Sequence, residues 1–349
     1  MKSLGINLTG DSVETQYCFP HLKGSCPRSQ TLIIIKAAMY MFMAFTILLT
    51  VCGNLLVIIS ISHFRQLHSP TNLLILSLAC IDCCLGSFIM PYSMIRSVEN
   101  CWYFGEIICK MHSSFDMMMS IASILHLCLI SVDRYWAICK PLQYKSLVSM
   151  QKVACLIAII WIFSFGFGFG VLLSKVHLAG MEEFIMMNSC AGTCFVILNK
   201  EWGVVAALVA FFIPGTVMTS LYLKIFYVAR SHARKINDSL AVTAEINNHK
   251  NRMSEQREKK AAKTLGIVMG VFLLCWLPFF TTIVVDPFIN FSTPNSVFDA
   301  LMWLGYFNST CNPLIYGLFY PWFQKVFKII LSGQVFHRGS SSLNICSEM

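Results

Sequence analysis

Long apolar runs separated by short polar stretches set the pattern of this chain. An apolar run of about 18 residues or more is long enough to cross a bilayer as a helix. Seven occur, at roughly 31–61, 71–95, 107–139, 153–173, 202–228, 264–285 and 297–319. At a rise of about 1.5 Å per residue each spans about 30 Å of hydrocarbon. The pattern predicts an all-α membrane protein, a seven-transmembrane helix bundle over residues 31–319. Before it lies a polar tail, 1–30, whose opening "MKSLGINLTGDSVE" has no apolar core and predicts no cleavable signal peptide. The longest polar interruption, 229–262, is charged, and its middle, "NDSLAVTAEINNHKNRMSEQ", reads as a mobile loop. After the last run, "YPWFQKVFKIILSG" alternates aromatic, aliphatic and basic residues at helical spacing. It predicts an amphipathic eighth helix over 320–331, lying on the membrane surface, with a flexible tail at 332–349.

Composition agrees: of 349 residues 56% are hydrophobic and 12% charged, against about 25% charged in a soluble domain. The net charge of +9 invites a nucleic-acid reading, but its distribution excludes one. Arg230, Arg234, Lys235, Lys250, Arg252, Arg257, Lys259, Lys260 and Lys263 crowd the loop after the fifth run, and Lys325 and Lys328 follow the seventh. Basic residues favour the cytoplasmic side, so the C-terminus is expected inside and the N-terminus outside, in the plasma membrane. Asn7 in "NLT" is then a glycosylation acceptor on the outside tail. Cys18, Cys26, Cys101, Cys109, Cys190 and Cys194 also fall outside, where disulfides persist. Six thiols allow fifteen pairings, which spacing alone leaves open.

Ionisable groups at membrane depth are costly and point to function. Well inside the spans stand Asp82, Asp116 and the Asp133-Arg134 pair; Lys36, Lys224 and Asp299 lie nearer helix ends. The third run serves as a ruler. Seventeen residues, about 26 Å of helix, separate Asp116 from Asp133, so Asp133-Arg134-Tyr135 sits at the inner surface when Asp116 lies in the outer part. Ser120 and Ser123 continue nearly the same face inward. Arg96 and Lys110 are near the outer ends, and no basic residue shares the depth of Asp116. A carboxylate without a protein partner below an outward mouth favours a cation from outside, and a protonated amine supplies both charge and donors. Trp276, Phe279, Phe280, Trp303 and Tyr306 can wall such a site, their ring faces favouring a cation. Asp82, Ser123, Asn308 and Asn312 form either a pocket for a small cation such as sodium or a water-filled network; both readings stand. Pro91, Pro214, Pro278 and Pro313 lie within spans and predict kinks.

These residues together resemble the rhodopsin-like G-protein-coupled receptors. The matching motifs are "GN" at 53–54, "LSLACID" ending at Asp82, "DRY" at 133–135, Trp161, Pro214, "FLLCWLP" at 272–278 and "NPLIY" at 312–316. A narrower likeness is to the trace amine-associated receptors, carried by "NSTCNPLIYGLFYPWF" at 308–323, "MPYSMIRSVENCWYFG" at 90–105 and "KTLGIVMGVFLLCWLPFF" at 263–280. The resemblance implies that Asp116 holds the ligand ammonium and that Trp276 is the packing switch below it. It implies that Arg134 pairs with Asp133 and Glu258 at rest and is stabilised by Tyr222 and Tyr316 when the sixth helix swings out. It favours the sodium reading for Asp82, Ser123, Asn308 and Asn312, with no other cofactor. It also implies the disulfides Cys109–Cys194, Cys18–Cys190 and Cys26–Cys101, the latter two fastening the tail over the mouth. Partners implied are a heterotrimeric G protein, stimulatory or of the olfactory class, with arrestin and receptor kinases.

Two departures narrow the ligand. Where catecholamine receptors carry serines on the fifth helix, this chain has Ala206, Ala207 and Ala210, and methyls do not offset the desolvation of ring hydroxyls. No second acid stands in 202–213 to grip a diamine. The expected ligand is a small, mainly apolar or aromatic primary amine. A receptor for biogenic monoamines is the nearest alternative, and a cation-coupled amine transporter comes from another class. Against the transporter stand the odd number of spans and the absence of internal repeats. No catalytic residue is assigned, since neither a nucleophile–base pair nor a metal-ligand spacing such as H-E-x-x-H appears.

Overall fold

Seven long helices follow the seven apolar runs, and an eighth lies beyond them. The protein is described by a computed structural model covering residues 16–28, 31–240, 248–319, 321–337 and 340–342. Side chains are described for all of these except 145, 229, 232–240, 248–265, 319, 321–322, 336 and 342. The helices are α1 (Ile33–His63), α2 (Pro70–Glu99), α3 (Gly105–Cys139), α4 (Met150–Ser174), α5 (200–240), α6 (Asn248–Val285), α7 (Asn295–Phe319) and α8 (Pro321–Leu331). Among the described residues the first six contain segments long and apolar enough to cross a membrane. The seventh is diluted by Asp299, Asn308, Ser309, Thr310 and Asn312, all buried inside the bundle. Asn7 and half of the tail 332–349 lie outside the described residues, as does the side chain of Glu258.

Local chemistry fixes where the helices begin. Ser69 accepts a hydrogen bond from the Asn72 N–H with Pro70 in the first turn, and Ser149 and Asn199 cap α4 and α5 in the same way. Two of the four expected proline kinks take a specific form. A π-helical turn, Leu85–Ile89, precedes Pro91, and another, Leu208–Phe212, precedes Pro214. The wider turn makes room for a ring that would otherwise meet the carbonyl four residues back. Pro278 and Pro313 instead lie inside continuous helices. Both α5 and α6 run on past their apolar segments, to Leu240 and from Asn248, so much of the loop read as mobile is helical.

The third helix is the axis of the bundle. It packs on α2, α4 and α5, while α6 packs on α5 and α7, and α1 on α2 and α7. The α3–α4 approach needs Gly168, where a Cβ would stand 2.9 Å from both the Met118 nitrogen and the Ser114 carbonyl oxygen. Between α5 and α6 Phe211 stacks on Phe280 and Phe272, with ring centroids 5.0 and 5.5 Å apart. Phe323 and Val326 of α8 are fully buried against α1 and the turn Arg65–Leu67, which fastens the amphipathic helix to the bundle.

Three disulfides gather at the opposite end. Cys109–Cys194 forms as expected, but the other two exchange partners. Cys18 bonds Cys101 and Cys26 bonds Cys190, with Cα separations of 5.7 and 5.0 Å. Backbone pairing gives the reason. Tyr17 bridges Pro27 and Ser25 bridges Ala191, the Cys26 N–H donating to the Ala191 carbonyl at 2.9 Å. That register sets Cys26 beside Cys190 and turns Cys18 toward Cys101. The segment is further held at Glu99, whose carboxylate receives Arg28, Lys36 at 2.9 Å and Tyr40 at 3.1 Å.

Candidate functional site

Below the disulfide-bearing end a cavity of about 110 Å³ opens among α2, α3, α5, α6 and α7. Asp116 lies on its wall, half-buried, where the ruler along α3 put it. The Tyr306 hydroxyl donates to one carboxylate oxygen at 2.7 Å and the Ser120 hydroxyl to the other at 3.5 Å. Tyr306 is fixed in turn by Ser93, 3.2 Å away, and Ser93 by His112 at 3.2 Å. The carboxylate is thus aimed before any ligand arrives, which is how a binding group avoids ordering penalties on association.

The rest of the lining is almost wholly apolar. Trp276, Phe279 and Phe280 come from α6 and Ala206 and Ala210 from α5. Gly305 lets the Trp276 ring seat against α7, since a Cβ there would stand 2.6 Å from it. Two expected wall residues are displaced. Ala207 is fully buried in the apolar core instead of lining the cavity, because helical rotation carries it about 100° from Ala206. Trp303 packs behind Tyr306, centroid to centroid 5.6 Å, with its ring nitrogen 3.3 Å from the Ser97 hydroxyl; it supports the site from outside.

The expectation that no cation shares the depth of Asp116 stands, but one lines the same cavity higher up. Arg96 lines the cavity, because α2 continues through its π turn and inclines the Arg96 side chain inward. Its guanidinium stands 3.6 Å from Asp299, donates to the Cys194 carbonyl at 3.3 Å and lies 5.4 Å from the Phe195 ring centroid. Lys110, by contrast, is exposed and pairs with Glu106 at 2.5 Å. Residues that sequence reasoning passed over include Phe195, Val196 and Leu198 of the roof and Met117 and Met302 of the walls. A signal for the roof existed: once Cys194 is tied to Cys109, two turns from Asp116, the residues after Cys194 must lie over the cavity.

Deeper in the bundle Asp82 is fully buried. It accepts from Ser123 at 3.0 Å, Ser309 at 2.7 Å and Asn312 at 2.7 Å. Ser309, one turn before Asn312 on α7, makes the bond to Asp82 that was expected of Asn308. Asn308 is buried with its side-chain oxygen unpartnered. Hard oxygen donors suit a small cation, and an orphaned buried acceptor beside this cluster fits one as well. Among the described residues no group of three His, Cys, Asp or Glu side chains converges as a metal site.

At the end carrying α8, Arg134 pairs with the Asp133 carboxylate at 2.5 Å and also reaches Thr71. Thr71 and Tyr144 each donate to Asp133 at 2.8 Å. Burial pushes the Tyr144 phenol above its ordinary pKa, so it stays a donor at neutral pH. Ser131 donates to the Tyr222 hydroxyl at 2.8 Å, Tyr316 stacks on Phe323 at 5.7 Å, and Tyr135 meets Trp136 edge-on at 6.1 Å.

Comparison with known proteins agrees with this arrangement. The sequence profile of the 7 transmembrane receptor (rhodopsin family) matches residues 53–316. The chain is 48% identical over 334 residues to trace amine-associated receptor 4 of Rattus norvegicus, covering 96% of each. It is 51% identical over 335 residues to trace amine-associated receptor 2 of Mus musculus, again covering 96% of each. It is 46% identical over 336 residues to trace amine-associated receptor 1 of Macaca mulatta, covering 95% of this chain and 98% of that one.

Proposed function

The chain belongs to the rhodopsin-like G-protein-coupled receptors, in the trace amine-associated branch, as a multi-pass plasma-membrane receptor and not an enzyme, and on that premise we propose that it detects small, mainly apolar or aromatic primary amines. One observation carries the reading: a single carboxylate, Asp116, held by Tyr306 at 2.7 Å and facing a largely apolar cavity of about 110 Å³. An ammonium bonded there keeps its charge-assisted contacts while its body is buried among Trp276, Phe279 and Phe280. The small volume favours an amine of phenylethylamine-like or short alkyl size over a larger ligand.

Signalling follows from the two ends of α3. Ligand seated on Asp116 bears on Trp276 and so on α6; at the other end Arg134 is released from Asp133 to meet a heterotrimeric G protein. Coupling is to the stimulatory or olfactory class, raising cAMP, with the N-terminus and Asn7 outside, and arrestin and receptor kinases act afterwards on the inner face. Asp82, Ser123, Ser309 and Asn312, with the free oxygen of Asn308, would hold a sodium ion, which supplies a positive charge against the buried carboxylate. A panel of volatile and biogenic amines, read by cAMP and by amine uptake in transfected cells, tests the reading. An amine-dependent cAMP rise without uptake is expected; uptake without any G-protein response would make the chain a transporter.

Two substitutions probe the parts. Ala206→Ser places a hydroxyl on the cavity wall and should improve the potency of phenolic amines by about three- to tenfold, the worth of one net hydrogen bond. Ala207→Ser, in the core, should give no such gain. An unchanged ligand profile in Ala206→Ser removes that residue from the wall. For the cation, Asp82→Asn should abolish any dependence of agonist affinity on sodium measured against a large organic cation at fixed ionic strength. Persistence of the sodium effect assigns it elsewhere.

A further inference from the structure

Arg96 and Asp299 meet at the upper edge of the cavity on poor terms. Both are more than nine-tenths buried, at 6% and 5% exposure, yet their nearest approach is 3.6 Å. Neither the Arg96 Nε nor the Asp299 Oδ1 has a hydrogen-bond partner. A buried ion pair offsets its desolvation only with close, well-bonded geometry, so this one is weakly held. Its position matters more than its strength. Asp299 precedes Tyr306 by seven residues, two turns of α7 on nearly the same face, or about 10 Å along the axis. Tyr306 is bonded to Asp116. Asp299 therefore stands on α7 about two helical turns above the Tyr306 that holds Asp116, behind a guanidinium that lines the cavity while Asp299 itself borders a neighbouring one with Ser97 and Trp303.

The charge count shows what the cover does. Asp116, Asp299 and Arg96 together present one net negative charge, which matches a single ammonium. Without the guanidinium they would present two, spaced for a second ammonium at the far end of a short ligand. With it, a second ammonium meets a cation instead.

We infer that Asp299 is a masked second ammonium site and that Arg96, by covering it, sets a preference for monoamines over linear diamines. The inference rests on the reading of Asp116 as the ammonium counter-ion. It also names the ligand class a closely related pocket would take if the guanidinium were absent.

The test compares diaminopentane with pentylamine in cells expressing the full receptor, as the ratio of their potencies in G-protein activation, a measure insensitive to expression level. In Arg96→Gln the ratio is expected to shift toward the diamine by about tenfold or more, the effect of one unit charge at about 10 Å in a medium of effective dielectric about 20. In Arg96→Gln/Asp299→Asn that gain should vanish. A ratio unchanged in the single variant, or a gain that survives in the double, overturns the inference. If Arg96→Gln fails to reach the surface, Asp299→Asn alone decides: it leaves the guanidinium uncompensated and should lower pentylamine potency about tenfold, and parental potency rejects the pairing. A parent chain indifferent to every monoamine would reject the Asp116 reading itself, whereas a responsive parent with a fixed ratio rejects only the masked site.

Discussion

Asp116→Ala is expected to abolish the amine response while the protein still reaches the cell surface. The carboxylate is half-buried and accepts hydrogen bonds from Tyr306 and Ser120. Removing it takes a charge out of an apolar cavity, which relieves desolvation, and Tyr306 keeps its contact with Ser93. The folded state therefore loses little. The ligand loses its only opposite charge at that depth. Truncating one partner of a buried charge pair costs about 2–5 kcal/mol, so potency should fall by about 30-fold or more. Concentration–response curves for G-protein activation, with surface labelling in parallel, measure both halves. Parental potency at parental abundance would remove the counter-ion from the account.

The other large effect falls on the scaffold that aims this carboxylate. Gly168→Val should sharply reduce the receptor at the surface, and the surviving fraction should respond weakly. A side chain at Gly168 meets the α3 backbone at Ser114 and Met118, on both sides of Asp116. A backbone cannot swing aside as a side chain can, so α4 must separate from α3. Overpacking costs about 1–3 kcal/mol where neighbours can adjust, and here the value should lie at or above the upper end. Gly170, two residues on, faces open space, and Gly170→Val supplies the control. Surface labelling and the midpoint of thermal inactivation with and without amine should separate the two variants. Equal behaviour would mean that the α3–α4 contact does not position the site.

Much of this was legible in the sequence because the bilayer constrains so strongly. Seven apolar runs became seven helices, and the spacing from Asp116 to Asp133 located both ends of α3. What escaped depended on neighbours the sequence does not order. The pairing of Cys18 and Cys26 was settled by a bridge of Ser25 to Ala191, a contact between segments 166 residues apart. Arg96 was placed near the outer end, where it lies, but nothing in the sequence showed that its side chain lines the cavity and meets Asp299. Ser309 was missed as a donor to Asp82, and placing Ala207 alongside Ala206 was a slip of a single residue, which on a helix is about 100° of rotation. Composition finds the right turn; only packing finds the face.

The central claim is that the charge of Asp116, and not merely its shape, holds the ligand. Its most direct test is equilibrium binding of a labelled phenylethylamine-like primary amine to membranes carrying the parent receptor or Asp116→Asn, which keeps the size and a hydrogen-bonding oxygen but loses the charge. The account predicts saturable binding to the parent and a loss of at least about 30-fold in affinity in the variant. Equal affinity in the two membranes would contradict it.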